Sequence, residues 1–351
     1  MNIVKYAILR IVALLMQIIG AITVIIVATT IIPLDPTVYF TVGDVSEQNG
    51  DLNQSTRSPE EIAQFRREIG LDKTFFQRYF DFLRDLFTRG DLGHSWYDNR
   101  KPVTELYFNA FKTTLNVFGL GILIFTILAI ILGILSARRL DGTLDRNVRL
   151  STSLFYSFPP YVLGTLLIFA LNNYFLTNLG SSLQENLESK FPINLSSRPY
   201  ETYFTAFNDG LSHAAVYQLL PIIIVVLIYT GFQFRLVRIY MANVLNQNYI
   251  RTAHAKGLSE RTILIKHGLR NALPELITSV ATTFPVAFSG VVVLEKVFEI
   301  NGSGLLLIDA GLHFNWPVLI GGAVIFTALN AVILAVTDLI INYVDPKLRL
   351  S

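Results

Sequence analysis

Apolar residues in this chain come in long blocks from which charge is absent. Six blocks carry no Asp, Glu, Lys or Arg: Ile11–Ile32 (22 residues), Leu115–Ala137 (23), Ser153–Leu176 (24), Ala214–Phe234 (21), Leu276–Leu294 (19) and Trp316–Thr337 (22). About 20 mainly apolar residues are needed to cross the hydrocarbon core of a bilayer as a helix, because every backbone polar group must be satisfied within the segment. The pattern therefore predicts an all-α polytopic membrane protein of about six transmembrane helices. Kinks are expected at Pro159-Pro160 in the third block, Pro221 in the fourth and Pro285 in the fifth.

Between the first two blocks lies a long polar-and-aromatic stretch with local order of its own. Ser58-Pro59-Glu60-Glu61 reads as a helix start, with an N-cap serine, proline at the first helical position and a glutamate completing a capping box. Ile62, Phe65 and Ile69 share one helical face, and Gly70 suits the C-terminal cap. An aromatic-rich stretch follows, Phe75 to Phe87, ending in Arg89-Gly90-Asp91-Leu92-Gly93, while Gly43–Arg57 reads as a loop. The domain plan is a first helix over 1–33, a small extracytoplasmic subdomain over 34–112 and a transmembrane core over 113–351.

Charge sets the expected orientation. Basic residues in short loops mark the cytoplasmic face. Lys5 and Arg10 precede the first block, four arginines follow the second, seven basic residues lie in Arg235–Asn271 against the single acid Glu260, and Lys347 and Arg349 close the chain. Glu299–Asn315 has no basic residue. Both termini are expected in the cytoplasm, with the long segments after the first and third blocks outside. The first block, at 22 residues, exceeds a signal-peptide core of roughly 7–15 residues and ends in Ile31-Ile32-Pro33, so it is read as a retained helix.

Composition narrows the chemistry. The chain of 351 residues is 52% hydrophobic, only 15% charged, near neutral at +2, and has no cysteine. A nucleic-acid partner is not expected, and thiolate metal sites and cysteine nucleophiles are excluded. Neither His-Glu-x-x-His nor Gly-x-Ser-x-Gly is present.

The segment Arg235–Asn271 is larger than a turn requires. Helix-favouring residues run to Lys256, Gly257 supplies a left-handed cap, and Ser259 N-caps a second helix that ends near Leu269. Pro274 then opens the fifth span. Such a basic amphipathic segment also suits anionic lipid headgroups.

The run Tyr249-Ile250-Arg251-Thr252-Ala253-His254-Ala255-Lys256-Gly257-Leu258 resembles the EAA loop of ABC-importer permeases, in the variant of the peptide/nickel branch. His254 stands where that branch more often has arginine. Gly70-Leu71-Asp72-Lys73, Gly90-Asp91-Leu92-Gly93-His94-Ser95, Glu295-Lys296-Val297-Phe298 with Gly302-Ser303-Gly304, and Asp345-Pro346-Lys347-Leu348-Arg349 are similar, in the same order, to B-type oligopeptide and dipeptide permeases. The resemblance implies the type I ABC importer permease fold in a bacterial cytoplasmic (inner) membrane. It implies a permease subunit that is not an enzyme and holds no cofactor, ATP and Mg being bound by partner subunits. The partners implied are a second homologous permease forming a heterodimer, two cytoplasmic ATPase subunits, an extracytoplasmic peptide-binding protein and a peptide substrate. Ala253, Ala255, Gly257 and Leu258 would form the ATPase-coupling surface, with Arg251, Lys256 and Ser259 beside them. Glu295, at the outer end of the fifth span next to Lys296, is a candidate for an ion pair, an interface or contact with passing cargo. Nickel chelates or glutathione are the alternative cargo, and a secondary transporter without ATPase partners is the rival from another class.

Overall fold

The computed structural model describes residues 3–31, 37, 59–97, 100–178 and 214–344. The Ser58 cap, the Gly43–Arg57 loop, most of the outer segment after the third span and the Asp345–Arg349 motif lie outside the described residues. The regular elements among the described residues are helices, in the order α1 (Ile3–Ile31), α2 (Pro59–Glu68), α3 (Phe75–Arg89), α4 (Val103–Ala137), α5 (Thr143–Tyr156), α6 (Pro160–Asn178), α7 (Ala214–Leu245), α8 (Asn248–Ala255), α9 (Glu260–Val297), α10 (Ser303–Leu312) and α11 (Trp316–Val344). Five of these are long and apolar enough to span a membrane, and α5 with α6 makes a sixth if that bent pair is counted as one span. The chain folds as two compact units: Lys112–Leu305 with Val332–Ser351, and Asn2–Phe111 with Leu306–Ala331.

The third predicted span is corrected by the structure. Ser153–Leu176 is not one kinked helix, because α5 and α6 meet at 88° across Ser157-Phe158-Pro159. Two successive prolines remove two backbone donors and push the preceding residue out of the helical region, so the helix stops and restarts with Pro160 at its first position. Ser153–Tyr156 belong to α5, a mainly polar helix, and the apolar helix α6 starts at Pro160.

α5 also explains why α7 runs on to Leu245, past the predicted end at Phe234. Arg235 lies over the ring of Tyr156, 5.4 Å from its centroid. Arg238 donates to both oxygens of Asp145, Nε to Oδ1 at 2.6 Å and Nη2 to Oδ2 at 2.7 Å. Asp145 is fully buried and also accepts the Asp141 N–H at 2.9 Å. Each charge that seemed to end the span thus has a partner on α5. Removing one member of a buried bidentate pair strands the other, whereas an apolar replacement of both can be neutral. Asp145→Ala is expected to cost about 3 kcal/mol, and Asp145→Ala with Arg238→Leu to recover most of that loss, read as thermal stability in detergent.

In this unit the core joins Phe118 and Phe125 of α4, Ile224, Ile228 and Tyr229 of α7, and Ala287, Val291 and Leu294 of α9. Lipid offers no hydrophobic drive for helix association, so close approach and buried polar contacts matter more. A Cβ on Gly231 would come within 2.7 Å of the Thr152 carbonyl oxygen, which lets α5 and α7 meet backbone to backbone. Between α7 and α9, the buried Gln233 donates to Ser279 Oγ at 2.9 Å and accepts from the Thr283 hydroxyl.

The other unit packs Ile18, Ile22 and Ile26 of α1 with Val103 and Tyr107 of α4 and Trp316, Val318, Ile320 and Val324 of α11. Gly70 ends α2 at φ +72 as expected, with Leu71 N–H bonded to the Arg66 carbonyl at 3.0 Å and Gly70 N–H to that of Arg67 at 3.1 Å. α3 starts at a capping box in which Thr74 and Gln77 each bond the other's backbone N–H. Lys73 reaches Asp81 at 2.8 Å and holds its carboxyl below the usual carboxylate range. That exposed contact is therefore present at neutral pH and is lost as pH falls through the lowered value. The Gly90–Ser95 run turns the chain at two left-handed glycines, Gly90 and Gly93. It buries Ser95, whose Oγ accepts from Asn315 Nδ2 at 2.8 Å.

Candidate functional site

The segment Arg235–Asn271 is mostly helix rather than loop. α7 occupies its first part, and α9 starts at Glu260 and runs unbroken to Val297 through a wide π turn over Ile263–Leu269. Pro274 therefore lies inside a helix instead of opening one, directly beyond the wide turn. What projects is a compact corner of Asn246–Ser259, built on α8.

Its geometry follows from a few residues. α8 closes with a Schellman motif: Leu258 N–H bonds the Ala253 carbonyl at 3.3 Å and Gly257 N–H the His254 carbonyl at 2.9 Å. That motif needs a left-handed residue, and Gly257 supplies it at φ +71. Ser259 then caps α9, its Oγ accepting from Thr262 N–H at 3.4 Å. His254 Nδ1 lies 3.5 Å from Glu260 Oε1 across the corner. Two helices are thus fixed around one glycine, as the sequence predicts.

The two faces of α8 differ. Ile250 and Ala253 are buried against Ile263, with Leu245 partly buried beside them. Arg251, Ala255, Lys256, Gly257, Leu258 and Ser259 are exposed, as are Thr252, His254, Glu260 and Arg261. Ala253 therefore belongs to the inner packing face, while the other six sequence-selected residues lie on the surface. Residues two apart on a helix point about 200° apart, so Ala253 and Ala255 cannot share a face. The exposed corner and the first turn of α9 together carry three cations, Arg251, Lys256 and Arg261, against one carboxylate, Glu260. Through Ile250, Ala253 and Ile263 it is seated on α9, and Gly268 of the wide turn packs on Leu245 and Met241 of α7. The corner is thus packed against the ends of both α7 and α9.

Glu295 has a different surrounding from the one its sequence position suggests. It is fully buried, and its hydrogen bonds come from Thr114 Oγ1 at 2.6 Å, Gly304 N–H at 2.7 Å and Leu305 N–H at 2.9 Å. Thr114 spends its proton on Glu295, so its oxygen accepts from Ser303 N–H at 2.9 Å and from the Ser303 hydroxyl at 3.0 Å. A carboxylate at the N-terminus of α10 satisfies otherwise orphaned donors and complements the helix dipole. The glycines of Gly302-Ser303-Gly304 now have a reason. A Cβ on Gly302 would lie 2.2 Å from Glu295 Oε1, and one on Gly304 2.5 Å from the Val292 Cα. Within this chain Glu295 is a clamp that joins α4, α9 and α10.

Sequence reasoning missed the Asp145–Arg238 pair and the Gln233–Ser279–Thr283 contacts. A glutamine directly before the end of the charge-free block Ala214–Phe234 was the available signal for the latter.

Residues 129–350 match the family described as "binding-protein-dependent transport system inner membrane component". The chain belongs to this family. The matched region includes α7–α9, the Gly257 corner and Glu295. Among relatives, the chain is 31% identical over 288 residues to the oligopeptide transport system permease protein AppB of Bacillus subtilis (strain 168), covering 82% of this chain and 84% of that protein. It is 28% identical over 293 residues to the dipeptide transport system permease protein DppB of Lactococcus lactis subsp. cremoris (strain MG1363), covering 84% and 87%. With DppB of Escherichia coli (strain K12) it shares 29% over 295 residues, covering 83% and 86%. As an inner membrane component of a binding-protein-dependent transport system, the chain is a multi-pass membrane protein.

Proposed function

We propose that this chain is one of two permease subunits that form the path of an ATP-driven peptide importer. The observation that carries the reading is the exposed Gly257 corner: cationic, fixed by a Schellman motif and a serine cap, and seated on two membrane spans. A secondary transporter has no use for such a lever. Peptide is the favoured cargo because the relatives named above are dipeptide and oligopeptide permeases.

In this reading the corner faces the cytoplasm, as do both termini, and docks in an acidic groove on one of two ATPase subunits. Those subunits bind ATP and Mg and carry out hydrolysis; this chain is not an enzyme. A second, homologous permease completes the path, and an extracytoplasmic binding protein delivers the peptide. ATP-driven closure of the ATPases moves the corner, and α7 and α9 follow because Ile263 and Gly268 pack them to it. The Glu295 clamp carries the motion of α9 into α10 and α4.

The test is purification of the tagged chain from detergent-solubilised membranes with mass spectrometry of its companions. Two ATPases and a second permease are the expected companions. A chain that purifies alone and moves peptide in liposomes without ATP overturns the proposal.

A further inference from the structure

We propose that α3 is an interfacial helix whose flank, formed by Phe76, Phe80 and Phe87, is embedded in the acyl region of the bilayer at the outer face. At 100° per residue the aromatic and aliphatic residues of α3 cover about 160° of its surface. Half of that arc, Phe75, Tyr79, Phe82 and Leu86, packs into the core of its own unit. The other half does not: Phe76, Phe80 and Phe87 fall within about 40° of one another and are 67%, 62% and 51% exposed. Gln77, Asp81, Arg84, Asp85, Thr88 and Arg89 occupy the remaining arc. One face fixed to protein, one aromatic flank and one charged face is the pattern of a helix lying in the membrane interface.

The depth of α3 selects lipid as the occupant. The Tyr79 hydroxyl bonds the Thr23 hydroxyl of α1 at 2.9 Å. Thr23 lies inside the charge-free block Ile11–Ile32, nine residues before its end. At 1.5 Å per residue that is about 13 Å inside the block, so the Tyr79 side chain reaches acyl depth and α3 lies against the apolar part of α1. Ile22 and Ile26 of α1 share the same core cluster with α3, while Val24, next to Thr23, is 68% exposed. The aromatic flank thus lies beside an apolar, outward-facing stretch of a membrane span. Three phenylalanines held there in water would form an exposed apolar patch of the kind soluble surfaces avoid.

The chain has no cysteine, so each variant carries a single cysteine of its own. Phe76→Cys, Phe80→Cys and Phe87→Cys, with Arg84→Cys as the polar-face control, are spin-labelled in the assembled transporter in liposomes after each is shown to retain uptake. Collision with oxygen, which concentrates in lipid, is compared with collision with a water-soluble nickel chelate. The expected result is a severalfold higher oxygen-to-nickel ratio at 76, 80 and 87 than at 84. Nickel access at all four positions overturns the proposal, since the flank then faces water. Low access to both reagents at the three phenylalanine positions also overturns it, because the flank is then covered by another protein.

Discussion

Glu295→Ala is expected to lower the stability of the chain by about 4 kcal/mol, since it leaves the Thr114 hydroxyl and the Gly304 and Leu305 N–H groups buried without an acceptor, at about 1–3 kcal/mol each. The sum is not additive, because α10 can slip and let other groups in. Glu295→Gln keeps one acceptor oxygen and the shape of the side chain, and is expected to cost about half as much. The measurement is thermal stability of the purified protein by size-exclusion recovery after heating, beside peptide uptake normalised to the protein present in the membrane. A clamp predicts that both variants lose stability, alanine more than glutamine, and that uptake per folded molecule changes little in the glutamine variant. A variant of normal stability with abolished uptake would assign Glu295 to the path.

Gly257→Val is expected to abolish coupling while leaving membrane insertion intact. The cause is backbone conformation and not space: a Cβ at Gly257 meets nothing within 4 Å, but φ is +71. An L-residue in that region costs about 1–2 kcal/mol and a β-branched one more. The Schellman bonds from Gly257 and Leu258 then open, and the corner no longer transmits force. Gly257→Asn is the control, since asparagine tolerates the left-handed region better than other side chains. The readout is peptide-stimulated ATP hydrolysis and uptake by the assembled transporter: near zero for valine, largely retained for asparagine. Full uptake by the valine variant would remove the corner from the mechanism.

What the sequence made legible divides along physical lines. Spans were readable because lipid tolerates no unpaired charge, so charge-free blocks of 19–24 residues mark them. Their ends were less readable. Arg235 and Arg238 looked like boundaries, yet α7 continues because Tyr156 and Asp145 of another helix receive them. No local pattern announces such a partner 93 positions away. The Gly257 corner was legible because a left-handed cap and a serine N-cap are local signals. Ala253 was placed on the contact face by the motif, though helical geometry alone sets it opposite Ala255. Glu295 was noticed for its charge, but its role was hidden. Two of its three donors are main-chain N–H groups, which have no sequence signature, and the third, Thr114, lies 181 positions away.

The central claim, that this chain is one of the two membrane subunits of an ATP-driven peptide importer, is tested most directly by transport. The purified assembly is reconstituted in liposomes with its binding protein outside, ATP and Mg inside, and a labelled oligopeptide added to the medium. Accumulation that requires both internal ATP and the binding protein, and that is lost in Gly257→Val, is the predicted result. Peptide entry that proceeds equally without ATP, or that follows an ion gradient alone, contradicts it.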